Sequence, residues 1–223
     1  MDNPPKYTMN SIPLEEVKEE KDLGVTVDRT LTFAQHVAEK VSKSNRTLGM
    51  ISRTFEYKDK ETMLLLYKGL IRPQLEYANQ VWAPQTVAQI EQIENVQRRF
   101  TKLIPGMKEL NYEERLRKIE LPSLSYRRLR GDMIEAYKIL TNKYNIQDSP
   151  FRLSHLTHTR GHHLKLDKPR VATRKRQNSF FVRSVNHWNS LPEYVVASTS
   201  VKDFERNLDH AWSAHALKYT TRA

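Results

Sequence analysis

The chain has no cysteine among its 223 residues, which excludes disulfides, thiolate nucleophiles and cysteine-based zinc sites together. Glycine is scarce, with 6 residues, and this scarcity favours long helices over many tight turns. The longest apolar stretches, such as Met63 to Leu66, are too short to cross a bilayer, and the N-terminal stretch lacks the apolar core of a secretory signal. We therefore expect an intracellular protein, in the nucleus or the cytoplasm, that makes no membrane contact.

Motifs that carry catalytic chemistry are also missing. GxGxxG, GxxxxGK[ST], GxSxG and HExxH do not occur, and no short hydrophobic strand ends in an Asp-Asp pair that could hold magnesium. The histidines of SHLTHTRGHH have spacings that could offer zinc nitrogen ligands, with surface or phosphate-contacting histidines as the alternative. They are His155, His158, His162 and His163. We expect no catalytic residue, no metal and no cofactor.

Positive charge is present in excess, and it is concentrated in one stretch of the chain. Between Asn95 and Arg183 there are 21 lysines and arginines against 8 acidic residues, whereas the remaining residues hold 16 against 18. A one-sided cationic surface gains affinity for nucleic acid by releasing the counterions condensed on its phosphates. The alternative is that these charges only keep a helical protein in solution.

Hydrophobic periodicity predicts a mostly α-helical fold that begins with a short β-strand segment. In residues 1–31, Leu23, Val25 and Val27 fall on one side of a period-two run. Residues 32–145 carry helical spacing and are predicted to form a helical bundle. Residues 146–223 are predicted to form a basic, irregular region with two closing helices.

Helix starts are marked by side chains that can accept hydrogen bonds from free backbone amides. These N-cap candidates are Asp59, Thr86, Asn111 and Ser123, and the second and third belong to capping boxes. Pro73 is expected to break the second helix, because the residue before a proline disfavours helical geometry. Further along, Leu164, Leu166 and Val171 are predicted to form a short extended pair.

Three groups of cations are candidates for phosphate contact. They are Arg98, Arg99 and Lys102 on the outer side of the third helix, Arg127, Arg128 and Arg130 at the start of the fifth, and Lys165, Lys168, Arg170, Arg174, Lys175 and Arg176 in the irregular C-terminal part. Arginine suits this role because its planar fork donates two parallel hydrogen bonds to a phosphate. The alternative is that the same arginines bridge helices through neighbouring carboxylates such as Asp132 and Glu135.

Several long blocks of the sequence resemble one known family. They are KDLGVTVDRTLTFAQHV from Lys21, LLLYKGLIRPQLEYANQVWAP from Leu64, IENVQRRFTKLIPG from Ile93, YEERLRKIELPSLSYRRLRGDMIEAYKIL from Tyr112, and then TRGHHLKLDKPR, RQNSFFVRSVNHWNSLP and VKDFERNLDHAW. In this order they are similar to the C-terminal thumb and tail of non-LTR (LINE-type) retrotransposon reverse transcriptases.

The resemblance implies a role for each region. Residues 1–31 would be the end of the palm, with Leu23 and Gly24 in the turn that contacts the primer, and residues 32–145 would be the thumb. Glycine at this position has another explanation, which is that it only relieves crowding in a short strand. The palm aspartates of the family are absent from this chain, so we do not expect it to polymerise DNA on its own.

The expected function is therefore binding of RNA or an RNA–DNA hybrid, whose backbone would be recognised by shape and charge. The expected partners are that nucleic acid and either a missing palm and fingers portion or another protein. The alternative is a non-enzymatic interaction module that docks on a protein through an exposed hydrophobic face.

Overall fold

The computed structural model describes residues 7–144, 146–147, 149–154 and 161–220. It confirms the predicted fold class, because helices dominate and short strands occur at the N-terminal end. The helices are α1 (Ala34–Thr54), α2 (Lys60–Leu66), α3 (Arg72–Glu76), α4 (Asn79–Trp82), α5 (Val87–Lys102), α6 (Tyr112–Ile119), α7 (Leu124–Leu140), α8 (Arg174–Gln177), α9 (Phe180–Asn189), α10 (Glu193–Val196) and α11 (Val201–Ala211). Within the described ranges, no helix is both long enough and apolar enough to cross a membrane.

The N-terminal strands form two small antiparallel hairpins. The strands are β1 (Thr8–Met9) with β2 (Ile12–Pro13), and β3 (Glu19–Asp22) with β4 (Val25–Asp28). In each hairpin the connecting residues both have positive φ, at 49° and 64° for Asn10 and Ser11 and at 43° and 80° for Leu23 and Gly24. Such turns match the right-handed twist of the strands they join. The prediction for Leu23 was wrong in this respect, since it lies in the turn and not on the strand face shared by Val25 and Val27.

The predicted N-caps are confirmed. Asp59 and Ser123 accept hydrogen bonds from the amides of Thr62 and Tyr126, at 2.9 and 3.1 Å. Thr86 and Asn111 form the reciprocal bonds of complete capping boxes with the residues three positions later. Because local side-chain bonds of this kind need no tertiary partner, the sequence pattern alone locates these helix starts.

Two boundary predictions were wrong. Pro73 does not break the helix, because a π-helical turn at Tyr67–Ile71 follows α2 and the proline then lies in the first turn of α3, where its missing amide hydrogen is not needed. The extended pair predicted around Leu164, Leu166 and Val171 is also absent from the described structure. Leu166 instead forms an isolated antiparallel bridge with Leu153.

The buried side chains form two clusters. The first runs from Val25 and Phe33 through the helices up to Leu124, and the second runs from Tyr126 to Trp212. Helix α7 therefore starts in the first cluster and continues in the second. The division of the chain into three domains stays a prediction.

A chain of buried polar groups joins the helices of the first cluster. The Tyr67 hydroxyl donates to Gln97, whose side-chain nitrogen lies 3.0 Å from the Tyr112 hydroxyl. That hydroxyl donates to Glu94, 2.5 Å away, and the same carboxylate oxygen accepts from the Leu124 amide at 3.2 Å. Burial raises the pKa of Glu94. Since the members come from the π-helical turn after α2 and from α5, α6 and α7, this network links α5 to each of its neighbours.

Candidate nucleic-acid interface

The β3–β4 turn, formed by Leu23 and Gly24, is called here the hairpin tip. The Leu23 side chain is 83% exposed. Two side chains hold the backbone of the tip in place. The Leu23 carbonyl accepts a hydrogen bond from the Tyr77 hydroxyl at 3.0 Å, and the Gly24 carbonyl accepts one from Lys40 Nζ at 3.1 Å. The structure therefore presents an exposed leucine on a turn that is fastened to α1 and to the end of α3.

Substituting Gly24 by alanine is expected to destabilise the hairpin tip by about 1 kcal/mol, because φ there is in the left-handed region. The added methyl group would meet Tyr77 at 3.7 Å, an ordinary contact, so the cost is that of the backbone alone. Gly69→Ala is the matched control, since it has no neighbour within 4 Å and sits in a helical segment, where alanine is preferred. Urea unfolding of both variants measures the difference, and equal stabilities would contradict this account.

Beside the hairpin tip lies a groove of about 530 Å³ between β3 and α1, called here the basic groove. Its cations are Lys21, Lys40, Lys43 and Arg46. Burial lowers the pKa of Lys40, and the charges of Lys21 and Lys43 lower it further. Among the described residues no ion pair of these four cations is found, although Glu39 also lines the groove and accepts from the Thr26 hydroxyl at 3.2 Å. The groove thus holds four cations against one lining carboxylate, that of Glu39.

The first predicted group of cations, on α5, divides between two environments. Arg99 and Lys102 are exposed, and Arg99 Nη1 donates to Asn45 of α1 at 3.2 Å, next to Arg46 of the basic groove. Arg98 instead pairs with Glu91, donates to Asn95 at 3.0 Å and lies over the Tyr112 ring at 5.0 Å. The structure therefore places Arg99 against α1, one residue from Arg46 of the basic groove, and engages Arg98 within the protein.

The second predicted group, at the start of α7, is engaged internally. Arg127 forms a bidentate pair with Glu76, and Arg130 forms one with Asp209 at 2.6 and 2.8 Å. Arg128 is 8% exposed and donates to Ser125 at 3.0 Å. Arg127 and Arg130 thus bridge helices through carboxylates, which is the alternative to phosphate contact. Phosphate contact by these three arginines stays a prediction.

The third predicted group lies in residues 165–176, called here the basic segment. Lys165 is half-buried, whereas the remaining cations are exposed; these are Lys168, Arg170, Arg174, Lys175 and Arg176. Just after the segment, the Asn178 side chain donates to Gln85 at 3.3 Å, and Gln85 donates to the Leu31 carbonyl at 2.6 Å. The basic segment is therefore anchored beside the loop that leads into α1.

The candidate histidine ligands are not brought together by the described structure. His155 and His158 lie outside the described residues. His162 is buried, with Nε2 2.9 Å from the Trp188 carbonyl, and His163 forms hydrogen bonds with Glu193. In the described part of the chain, no group of three or more histidine or acidic side chains could hold a metal ion.

Sequence reasoning missed the basic groove. Lys40, Lys43 and Arg46 are spaced three apart on one helix, a spacing that keeps side chains on neighbouring turns of the same face. That spacing was the available signal, but these cations lie outside the stretch of greatest charge excess. The position of Lys21 opposite them depends on how the β3–β4 hairpin packs on α1 through β4, which local patterns do not show.

Comparison with known proteins gives a distant relation. No protein-family model matches the chain. The chain is 29% identical over 110 residues to a probable RNA-directed DNA polymerase from the transposon X-element of Drosophila melanogaster. The match covers 46% of this chain and 12% of that polymerase, so the chain spans a small part of its relative's length. No solved structure matches. The similarity supports a distant, reverse-transcriptase-like relation.

Proposed function

We propose that this chain binds RNA or an RNA–DNA hybrid through the hairpin tip and the basic groove, in the manner of the thumb that its sequence resembles. One observation carries the proposal. The basic groove gathers cations from β3 and α1 next to an exposed turn, and the pKa of Lys40 is lowered by burial and by its cationic neighbours. Charge held together in this way is stabilised when a polyanion binds, because the phosphates relieve the repulsion and release counterions.

The proposed contact set extends from the basic groove in two directions. Arg99 and Lys102 continue it along α5, and the exposed cations of the basic segment lie beyond the loop at Leu31. Arg98, Arg127, Arg128 and Arg130 are left out of this set, because three of them pair with carboxylates and Arg128 is buried. No catalytic step is proposed for this chain, and a nuclear location is proposed because the basic run from Thr173 to Gln177 suits nuclear import.

The distant similarity to a transposon polymerase supports a nucleic-acid partner over an unrelated one. Recognition is proposed to be by backbone shape and charge, since lysine and arginine ends around an open groove contact phosphates in any sequence. Base preference is therefore expected to be weak.

Replacing Lys43 and Arg46 together by glutamine is expected to weaken hybrid binding and to lower the slope of log affinity against log salt by about one to two units. The reason is that each phosphate that a cation neutralises releases roughly 0.7 to 0.9 of a counterion. The measurement is fluorescence anisotropy with a labelled RNA–DNA hybrid, repeated across KCl concentrations. Both side chains are exposed, so the thermal stability of the variant is expected to stay unchanged.

The matched control is the pair Lys202→Gln and Arg206→Gln on α11. It removes the same number of positive charges from a helix that packs on α7 and α10, away from the basic groove. An equal reduction of the slope in both double variants would mean that only net charge matters, and the groove would then not be the binding site.

A second candidate function is docking of another protein on the first hairpin. Tyr7, Met9, Ile12 and Leu14 are all exposed there, which is an unusual density of large apolar side chains for a solvent-facing surface. Association through such a face would be insensitive to salt, whereas hybrid binding through the basic groove weakens steeply as salt is added. The same salt titration therefore separates the two functions.

A further inference from the structure

The basic segment contains a hydroxyl group in an accessible position. Thr173 and its neighbours from Asp167 to Gln177 are exposed, apart from the half-buried Val171. Residues 167–171 have no regular secondary structure, and Thr173 itself has extended backbone angles, with φ −121° and ψ 145°. Helix α8 follows Thr173 directly but buries none of its residues, so an enzyme that needs to grip an extended stretch of chain can reach this threonine without unfolding a core element.

The charges around Thr173 are one-sided. Arg170 and Lys168 lie three and five residues before it, and Arg174 follows it directly. Beyond Asp167, no acidic residue occurs before Glu193. Protein kinases select substrates by such charge patterns, and kinases with acidic substrate grooves select basic residues at the positions before the acceptor hydroxyl.

We propose that Thr173 is a phosphorylation site for a basophilic serine/threonine kinase, and that its phosphorylation weakens nucleic-acid binding. The second part rests on the proposed function. The assignment of Thr173 as the acceptor rests on its exposure, its extended backbone and the flanking charges, and it does not depend on the proposed function.

The reaction is transfer of the γ-phosphoryl group of ATP. A bond forms between Thr173 Oγ1 and the γ-phosphorus, the bond from that phosphorus to the bridging oxygen breaks, and ADP leaves. The hydroxyl proton passes to a carboxylate of the kinase. Among the described residues, Oγ1 is found only as the acceptor of a hydrogen bond from the Arg176 amide at 3.3 Å, which leaves its own hydrogen for removal.

Ser179 is the nearest competing acceptor, with Arg176 three residues before it. Its environment is less suitable, because its hydroxyl donates to the Arg176 carbonyl at 2.7 Å and the next residue, Phe180, is buried in the second cluster. A kinase would have to pull Phe180 out of the core to extend the chain there. Thr173 requires no such step.

Phosphorylation would change the basic segment electrostatically. The phosphate adds about −1.5 to −2 charge at neutral pH, beside Arg170, Arg174 and Arg176. It offers those arginines an intramolecular partner and repels an approaching nucleic-acid phosphate. If two backbone phosphates are no longer neutralised, affinity for a hybrid is expected to be roughly 15- to 30-fold weaker at about 0.15 M salt. The slope of log affinity against log salt is expected to be lowered by about one to two units.

The test uses the full chain, a purified basophilic kinase and ATP, with the modified residue mapped by mass spectrometry. Phosphate is expected on Thr173 and is expected to be absent in Thr173→Ala and strongly reduced in Arg170→Ala. Thr199→Ala is the matched control, because Thr199 is exposed but has no basic residue among the five before it. An unmodified Thr173 under conditions that phosphorylate a basic reference peptide, or phosphate on Ser179 instead, overturns the assignment.

The phosphorylated and unmodified proteins are then compared for binding to the labelled hybrid across KCl concentrations. Equal affinities and slopes, with the Lys43 and Arg46 double variant still impaired, would overturn the regulatory role and leave the proposed function standing. If the unmodified protein does not bind the hybrid, the regulatory role falls with the proposed function. The acceptor assignment is judged by the mapping in every case.

Discussion

Replacing Arg183 by methionine is expected to destabilise the protein by about 3 to 5 kcal/mol, because it leaves a buried carboxylate without its cationic partner. Asp132 of α7 is 5% exposed, and Arg183 of α9 donates to its two oxygens at 2.9 and 3.0 Å. Burial raises the pKa of Asp132, and the Arg183 charge opposes that rise. Arg183 also donates to the carbonyls of Asn178 and Asn79, at 2.9 and 3.2 Å, so its removal leaves further acceptors unpaired.

Urea unfolding at neutral pH measures this effect, with a constant m-value as the sign that only stability has changed. Arg206→Met is the matched control, because Arg206 pairs with Asp203 at 2.6 Å on the exposed surface, where such pairs contribute roughly 0 to 1 kcal/mol. Adding Asp132→Leu to Arg183→Met is expected to recover much of the stability, since the carboxylate that lost its arginine partner is then removed as well. A destabilisation under about 1 kcal/mol in the single variant would contradict the assigned role.

The second large effect is expected on acidification. His36 of α1 is fully buried, its Nδ1 accepts from the Thr26 amide at 3.1 Å, and its ring lies 5.0 Å from that of Trp82. Burial, and then the charge of Lys40, lower the pKa of His36 from 6.5 to about 4. The folded protein therefore holds His36 neutral at pH values where the unfolded chain binds a proton.

The sign follows from this difference in proton binding. The stability that neutral His36 contributes is fully present above pH 6.5 and is lost as the pH falls from 6.5 towards 4. The shift corresponds to about 3 kcal/mol over the whole window. Because the Thr26 amide belongs to β4, protonation is expected to loosen the β3–β4 hairpin, and with it the hairpin tip and the wall of the basic groove.

The measurement is the free energy of unfolding at a series of pH values for the wild type and for His36→Asn. Asparagine can still accept a hydrogen bond from the Thr26 amide but does not titrate. The stability of the variant is therefore expected to fall less steeply than that of the wild type between pH 6.5 and 4. Burial also lowers the pKa of His162, His187 and His215, and the comparison of slopes cancels their shared contribution. Parallel curves for the two proteins would contradict the role given to His36.

Much of the fold could be predicted from local patterns. The capping boxes at Thr86 and Asn111 locate the starts of α5 and α6, because the bonds that define them lie within a few residues. Local patterns failed at Pro73, where a π-helical turn shifts the hydrogen-bond register in a way that the sequence does not reveal. They failed also at Leu166, whose bridge partner lies 13 positions before it in the chain.

For the candidate site, the sequence and the tertiary structure determine different features. Composition, periodicity and capping are properties of neighbouring residues, so the amino-acid order alone specifies a helical, strongly basic chain that begins with a short strand segment. Which cations stay available to a ligand depends instead on how the helices and the hairpin pack. Arg127 and Arg130 meet carboxylates from α3 and α11, whereas Lys21 meets Lys40 and Lys43 across a groove. These outcomes differ because charge neutralisation acts over a few ångströms, between side chains that are far apart in sequence.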